Sequence, residues 1–170
     1  MNDGSPFFGK YRGTVVQNID PEQRGRIQAI VPDVSIIPST WALPCVPVTG
    51  NGMGTYFVPP LGAGVWIEYE QGDIDFPIWT GGFWGSAAEV PKLAMLGNPV
   101  SPSIVLQTTL QNSISISDVP GPSGGIMIKS ATNAMILVND VGITISNGKG
   151  ATIVMTGPTV TINNGALVVV

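Results

Sequence analysis

Four carboxylates fall within one short stretch of the chain: Glu68, Glu70, Asp73 and Asp75. Carboxylates in pairs hydrolyse glycosides or hold a divalent ion. Strand alternation puts Glu68 and Glu70 on one face, opposite Ile67 and Tyr69, with both aspartates in the adjoining turn. The plainer reading is a solvated strand face, or a pairing with a neighbouring subunit's arginine. Gly121-Pro-Ser123-Gly-Gly125 fits the G-x-S-x-G pattern of a nucleophile elbow, which needs a strand-to-helix turn and a histidine partner. No helical pattern follows it and the chain has no histidine, so a strand-connecting turn accounts for it better. The missing histidine also removes the commonest general base and the commonest transition-metal ligand. Gly50-Asn-Gly52-Met-Gly54 and Asn147-Gly148-Lys149-Gly150 resemble phosphate loops, but neither completes a nucleotide-binding fingerprint. The residues therefore assign no catalytic side chain, no metal site and no cofactor, and the chain reads as a non-enzyme.

Lys10, Arg12, Arg24 and Arg26 place four of the seven basic residues on the first hairpin. On a small barrel such a hairpin invites a nucleic-acid reading. Phosphate binding draws on positive charge, however, and the net charge is −4. Contact with another subunit is the better use for these four, with no nucleic-acid partner. Cys45 is the only cysteine, so no intrachain disulfide can form; its apolar neighbours Leu43, Val46 and Val48 suggest a buried, inert thiol. The segment Met1 to Pro6 lacks a basic, apolar signal region, and no apolar run reaches the roughly 18 residues of a membrane helix. Synthesis in the cytoplasm without Sec export is the expectation.

The elements that must carry these residues divide into two grammars. Residues 1–90 hold thirteen of the eighteen charged residues, and every Trp and Tyr lies before residue 85. Residues 1–85 read as one domain, 86–109 as a linker running into the start of the next element, and 110–170 as a second region. A helical turn at 92–96 is possible within the linker. In the first domain, Lys10 to Asn18 alternates with Tyr11, Gly13, Val15 and Gln17 on one face. Asp20-Pro21-Glu22-Gln23-Arg24-Gly25 turns the chain, and Arg26 to Pro32 returns antiparallel. Residues 42–48 suit a Pro-interrupted edge strand, and 65–70 and 76–83 form a second hairpin. Five short strands with a long loop between the third and fourth suggest a closed barrel of the OB type.

Beyond residue 110 apolar pairs recur between turn residues: Ile114/Ile116, Ile126/Ile128, Ile136/Val138, Ile143/Ile145, Ile153/Met155, Val160/Ile162 and Leu167/Val169. Each segment can turn one apolar row inward and a Ser/Thr/Asn row outward. A single chain of such strands cannot cover its own apolar row, whereas three chains wound together can. The fold class is therefore all-β: an OB barrel followed by an intertwined trimeric β-helix, a three-sided prism with interchain hydrogen bonds. Its core is Ile126, Ile128, Ile136, Val138, Ile143, Ile145, Ile153, Met155, Val160 and Ile162. Seven strands at about 4.8 Å spacing give a needle roughly 34 Å long.

Three stretches carry a family resemblance: Phe8-Gly-Lys-Tyr-Arg-Gly-Thr-Val-Val; Asp20-Pro-Glu-Gln-Arg-Gly-Arg-Ile-Gln-Ala-Ile-Val-Pro; and Pro60-Leu-Gly-Ala-Gly-Val-Trp-Ile-Glu-Tyr-Glu-Gln-Gly-Asp-Ile-Asp-Phe-Pro-Ile-Trp-Thr-Gly. Together they resemble the OB domain of baseplate assembly protein V and related spikes of contractile phage tails; type VI secretion and extracellular injection systems use similar spikes. The resemblance covers about residues 8–85 by motif and the tail by style. It implies a homotrimeric central spike on a baseplate hub, driven through the target membrane when the sheath contracts. Two departures matter. A lysozyme domain that some members carry between barrel and needle has no room here, and the iron-binding His-x-His pair at other members' apex has no counterpart. The chain ends instead on Ala166, Leu167, Val168, Val169 and Val170, an apolar strand suited to a PAAR-repeat tip protein. A stand-alone oligonucleotide- or glycan-binding OB module with a β-solenoid tail is the alternative.

Overall fold

The computed structural model describes residues 6–95, 101 and 103–169, which form two compact units, 1–89 and 90–170. The first is built from β1 (Tyr11–Gln17), β2 (Gln28–Ile30), β3 (Leu43–Pro44), the small hairpin β4 (Thr49–Gly50) and β5 (Met53–Gly54), β6 (Gly64–Tyr69) and β7 (Pro77–Phe83). Five of these form one sheet in the order β2-β1-β6-β7-β3, antiparallel except where β3 runs parallel to β7. A bridge between Ile27 and Ala42 joins the two edges, each amide donating to the other's carbonyl at 3.2 and 2.8 Å. The sheet thereby closes into a barrel with the strand neighbours of an OB fold, which leaves no open edge at the join.

Period-two alternation selects the barrel's lining. Val15, Ile27, Ala29, Val31, Ala42, Val65, Ile67, Tyr69 and Trp79 form the buried core. Gly13 lies among them because the wall is tight there: a Cβ at this position would stand 3.1 Å from Ile67 and 3.3 Å from Ala29. Trp79 is buried with its indole N–H donating to the Gly25 carbonyl at 3.1 Å, so its one polar atom is satisfied. Phe7, Tyr11 and Tyr69 stack with centroids 5.7 to 6.1 Å apart. Cys45 departs from expectation and is exposed. Ala42 points inward, and alternation from it turns Cys45 out at the end of the edge strand, whatever its neighbours' polarity.

The turn between β1 and β2 is organised by Asp20. Its carboxylate accepts the amides of Glu22, Arg24 and Arg26 at 3.0, 2.8 and 3.2 Å, and Arg26 Nε and Nη2 at 3.0 and 2.7 Å. Its side chain is almost wholly enclosed. A carboxylate with this many donors is strongly favoured in its charged form.

The second unit holds a one-turn helix α1 (Lys92–Met95) and eight strands: β8 (Ile104–Gln107), β9 (Ser113–Ser117), β10 (Gly125–Lys129), β11 (Met135–Val138), β12 (Ile143–Ser146), β13 (Thr152–Thr156), β14 (Thr159–Ile162) and β15 (Leu167–Val169). They form one antiparallel meander in chain order. The expected strands are present, preceded by β8, which pairs with β9 and so lengthens the sheet beyond the seven apolar pairs. The ladders differ from an intertwined arrangement in one respect: each strand bonds to the next strand of its own chain. The turns favour this, because several are short and closed by their own side chains. Asn139 Oδ1 accepts the amides of Val141 and Gly142, and Asn147 Oδ1 those of Lys149 and Ala151. Local closure of this kind fixes hairpin register before any partner is met.

The Arg26 guanidinium, chiefly, holds the Asp20 carboxyl far below its ordinary 3.8; desolvation opposes this and the backbone donors add to it. The stabilisation is complete above about pH 4 and is lost as the pH falls below it, because the unfolded chain then binds a proton that the folded chain refuses. Asp20→Asn should lower the melting temperature of the barrel at pH 7, and the gap from wild type should narrow steadily as the pH falls from 4 to 2. Calorimetry across that range checks it; parallel profiles would contradict this role for Asp20.

Candidate assembly interface

Register alone decides which side chains share a face of the meander. One column of directly opposed residues runs Ile104, Ile116, Ile126, Val138, Ile143, Met155, Val160, Val169. The column beside it runs Leu106, Ile114, Ile128, Ile136, Ile145, Ile153, Ile162, Leu167. All ten residues expected in the shared core lie in these two columns, and no polar residue interrupts either. On the opposite face the central column reads Val105, Ser115, Met127, Leu137, Thr144, Val154, Thr161, Val168, a mixture of polar and apolar.

The aliphatic columns are open to water in the single chain. Ile126 and Ile128 are half exposed, Ile136 and Val138 more than 40% exposed, and Ile145, Ile153 and Met155 over a third; Ile143, Val160 and Ile162 are somewhat more covered. On the other face Ser113 and Ser115 are buried. A soluble monomer rarely leaves a contiguous apolar patch larger than a few hundred Å² exposed, and two unbroken columns of eight exceed that. Burial of one such side chain is worth about 1.5–3 kcal/mol, so the face is a large unspent driving force for association.

At the end of the sheet, Leu167, Val168 and Val169 are exposed and pair only with β14 among the described residues, leaving the far side of β15 open. Ala166 is likewise exposed. Val170 lies outside the described residues.

The four basic residues of the first hairpin have partners within the chain. Lys10 pairs with Glu68 at 2.7 Å and donates to Thr80 Oγ1. Arg12 lies over the rings of Trp66 and Phe83, at 5.4 and 5.0 Å from their centroids. Arg24 pairs with Glu22, and Arg26 with Asp20 and Glu22, beneath the Trp41 ring. Sequence spacing gave no signal for the Arg12–aromatic cluster, which depends on the pairing of β1 with β6 and of β6 with β7. The acidic stretch is dispersed in the same way. Glu68 is taken by Lys10, and Asp73 Oδ1 accepts the Asp75 amide in the turn. Among the described residues no three acidic or cysteine side chains gather in a manner that would hold a metal. Gly121 to Gly125 forms a turn, with the Gly121 amide donating to the Asp140 carboxylate. A cleft of about 400 Å³ lies between the Arg24–Gly25 turn and the β4–β5 hairpin, lined by Pro44, Met53, Tyr56 and Phe57 among others. Its only cation, Arg24, is already paired.

Residues 11–84 match the family model described as the type VI secretion system/phage-baseplate injector OB domain. Residues 103–168 match that of the phage baseplate V C-terminal trimerisation domain. No curated protein sequence matches the chain. The two matched spans coincide with the barrel and the meander. The chain belongs to the phage baseplate V family: a structural baseplate component with an injector-type OB domain in its first half and a trimerisation domain in its second.

Proposed function

We propose that the protein is the central spike of a contractile tail or injection machine, a mechanical needle rather than a catalyst. The observation that carries this reading is the pair of uninterrupted aliphatic columns on one face of the meander. Three copies of that face, turned toward a common axis, form a dry core that no one copy can make. Because the strands pair within each chain, the copies share side-chain packing and sheet corners. With β8 added, eight strands at about 4.8 Å spacing stack to roughly 38 Å along the axis, longer than the ~30 Å hydrocarbon core of a bilayer. Closed turns and continuous ladders give each sheet stiffness along its stacking direction, and the common core makes the three sheets fail together.

The barrel end is the side for the hub, and exposed parts of Lys10, Arg12 and the Arg24/Arg26 turn remain candidates for hub or intersubunit contact beside their intrachain roles. Ala166 to Val170 form the apex, where three open apolar edges suit a PAAR-repeat tip protein. The particle would be a virion tail or a related injection device that meets the target membrane transiently. The cations of the barrel are occupied within the chain, which weighs against a nucleic-acid-binding module.

Ile136→Ala should cost about 2–5 kcal/mol at each of three copies and shift dissociation of the assembly to higher concentration. Thr144→Ala, on the opposite face, should stay within about 0.5 kcal/mol of wild type. Sedimentation of both variants over a dilution series checks the face assignment, and equal effects would contradict it. Deleting residues 166–170 should abolish capture of a PAAR-repeat partner while leaving the assembly intact; unchanged capture would remove the apex from the account.

A further inference from the structure

Four charged residues remain in the meander after the aliphatic face is accounted for: Asp118, Lys129, Asp140 and Lys149 are the only ones between residues 103 and 169. Their placement is not mixed. The turns at 108–112, 130–134, 147–151 and 163–166 lie along one lateral edge of the sheet, and those at 118–124, 139–142 and 157–158 along the other. Lys129 ends β10 at the first edge, and Lys149 sits in a turn on that same edge. Asp118 and Asp140 both sit in turns of the second. Asp118, Asp140 and Lys149 are exposed and Lys129 is half-buried. None of the four has an ion-pair partner among the described residues, whereas Lys10, Arg24 and Arg26 of the barrel all do. The Asp140 carboxylate is held at its edge by the Gly121 amide at 3.0 Å.

From this we infer that the copies close head to tail, the Lys129/Lys149 edge of one chain lying against the Asp118/Asp140 edge of the next. This deepens the trimeric reading above and rests on it. A threefold axis along the stacking direction brings unlike edges together at every corner, a heterologous contact that closes as a ring. Charge complementarity then favours that closure over any arrangement that sets like edges side by side. The heights agree as well. Asp118 leaves β9, one strand before Lys129; Asp140 lies in the turn before β12, and Lys149 in the turn after it. A tilt of the strands that offsets one edge from the other by about one strand spacing, roughly 4.8 Å, serves both pairs without displacing any copy along the axis. Each corner thus carries two lysine–aspartate contacts, and together they fix the tilt that the featureless aliphatic columns leave undetermined.

Zero-length carbodiimide cross-linking of the full-length wild-type protein, followed by peptide mapping, tests this. Within one chain each pair is separated by a strand of four to five residues, about 13–16 Å, beyond reach of a direct amide. The expected result is covalent dimers and trimers on a denaturing gel, joined through Lys129–Asp118 or Lys149–Asp140 peptides. Lys129→Glu alone and Asp118→Lys alone should each raise the dissociation midpoint about tenfold or more at low salt, with the effect shrinking near 1 M salt. The combined swap should restore it. A protein that keeps a three-chain native mass without cross-edge peptides, or a swap no better than its single variants, overturns the inference and spares the trimer. A one-chain native mass overturns both.

Discussion

The second half of this protein is governed by one constraint: an antiparallel meander whose backbone is satisfied within the chain but whose aliphatic face is not. Hydrogen bonding and hydrophobic burial, which usually come from the same packing event, are separated here. Four of the hairpins close on their own Thr, Ser or Asn side chain, and every strand bonds to the next in sequence, so a single chain can build the ladders. The two columns from Ile104 to Val169 and from Leu106 to Leu167 then lie exposed on one face. Association supplies what folding leaves out. This division makes the family's trimerisation a physical necessity, and it means that the number of copies is set by how many such faces enclose an axis.

The barrel follows the opposite rule. Its core is complete within one chain, its edges are joined through Ile27 and Ala42, and its four cations are engaged internally by Asp20, Glu22, Glu68 and the Trp66 and Phe83 rings. The barrel is thus complete in one chain, while the meander leaves its aliphatic face uncovered. The same contrast appears in the charges. The four cations of the barrel are all engaged within it, whereas the four charges of the meander stand at its two lateral edges without an ion-pair partner among the described residues.

Much of this was legible in the residues themselves. Alternation alone placed Gly13 and Val15 in the barrel wall and the isoleucines on a common face, because a period of two survives whatever the strands pack against. Turn chemistry located nearly every hairpin. The β4–β5 hairpin was missed: its strands are too short and polar to show alternation, and Asn51-Gly52, a strong two-residue turn signal, was the one feature that could have marked it. Strand β8 was obscured by the Pro and Ser residues just before it, which give the segment the composition of a linker. Cys45 misled because local apolarity is a weaker guide than strand phase. The partners of Arg12 and Lys10 are fixed by strand pairing across long sequence distances, which spacing does not encode.

The central claim is that the aliphatic face is covered by identical copies. Sedimentation equilibrium of the full chain at neutral pH tests it most directly. The account predicts a mass three times the 17.7 kDa of one chain, persisting on dilution. A single-chain mass with the meander still folded would contradict it.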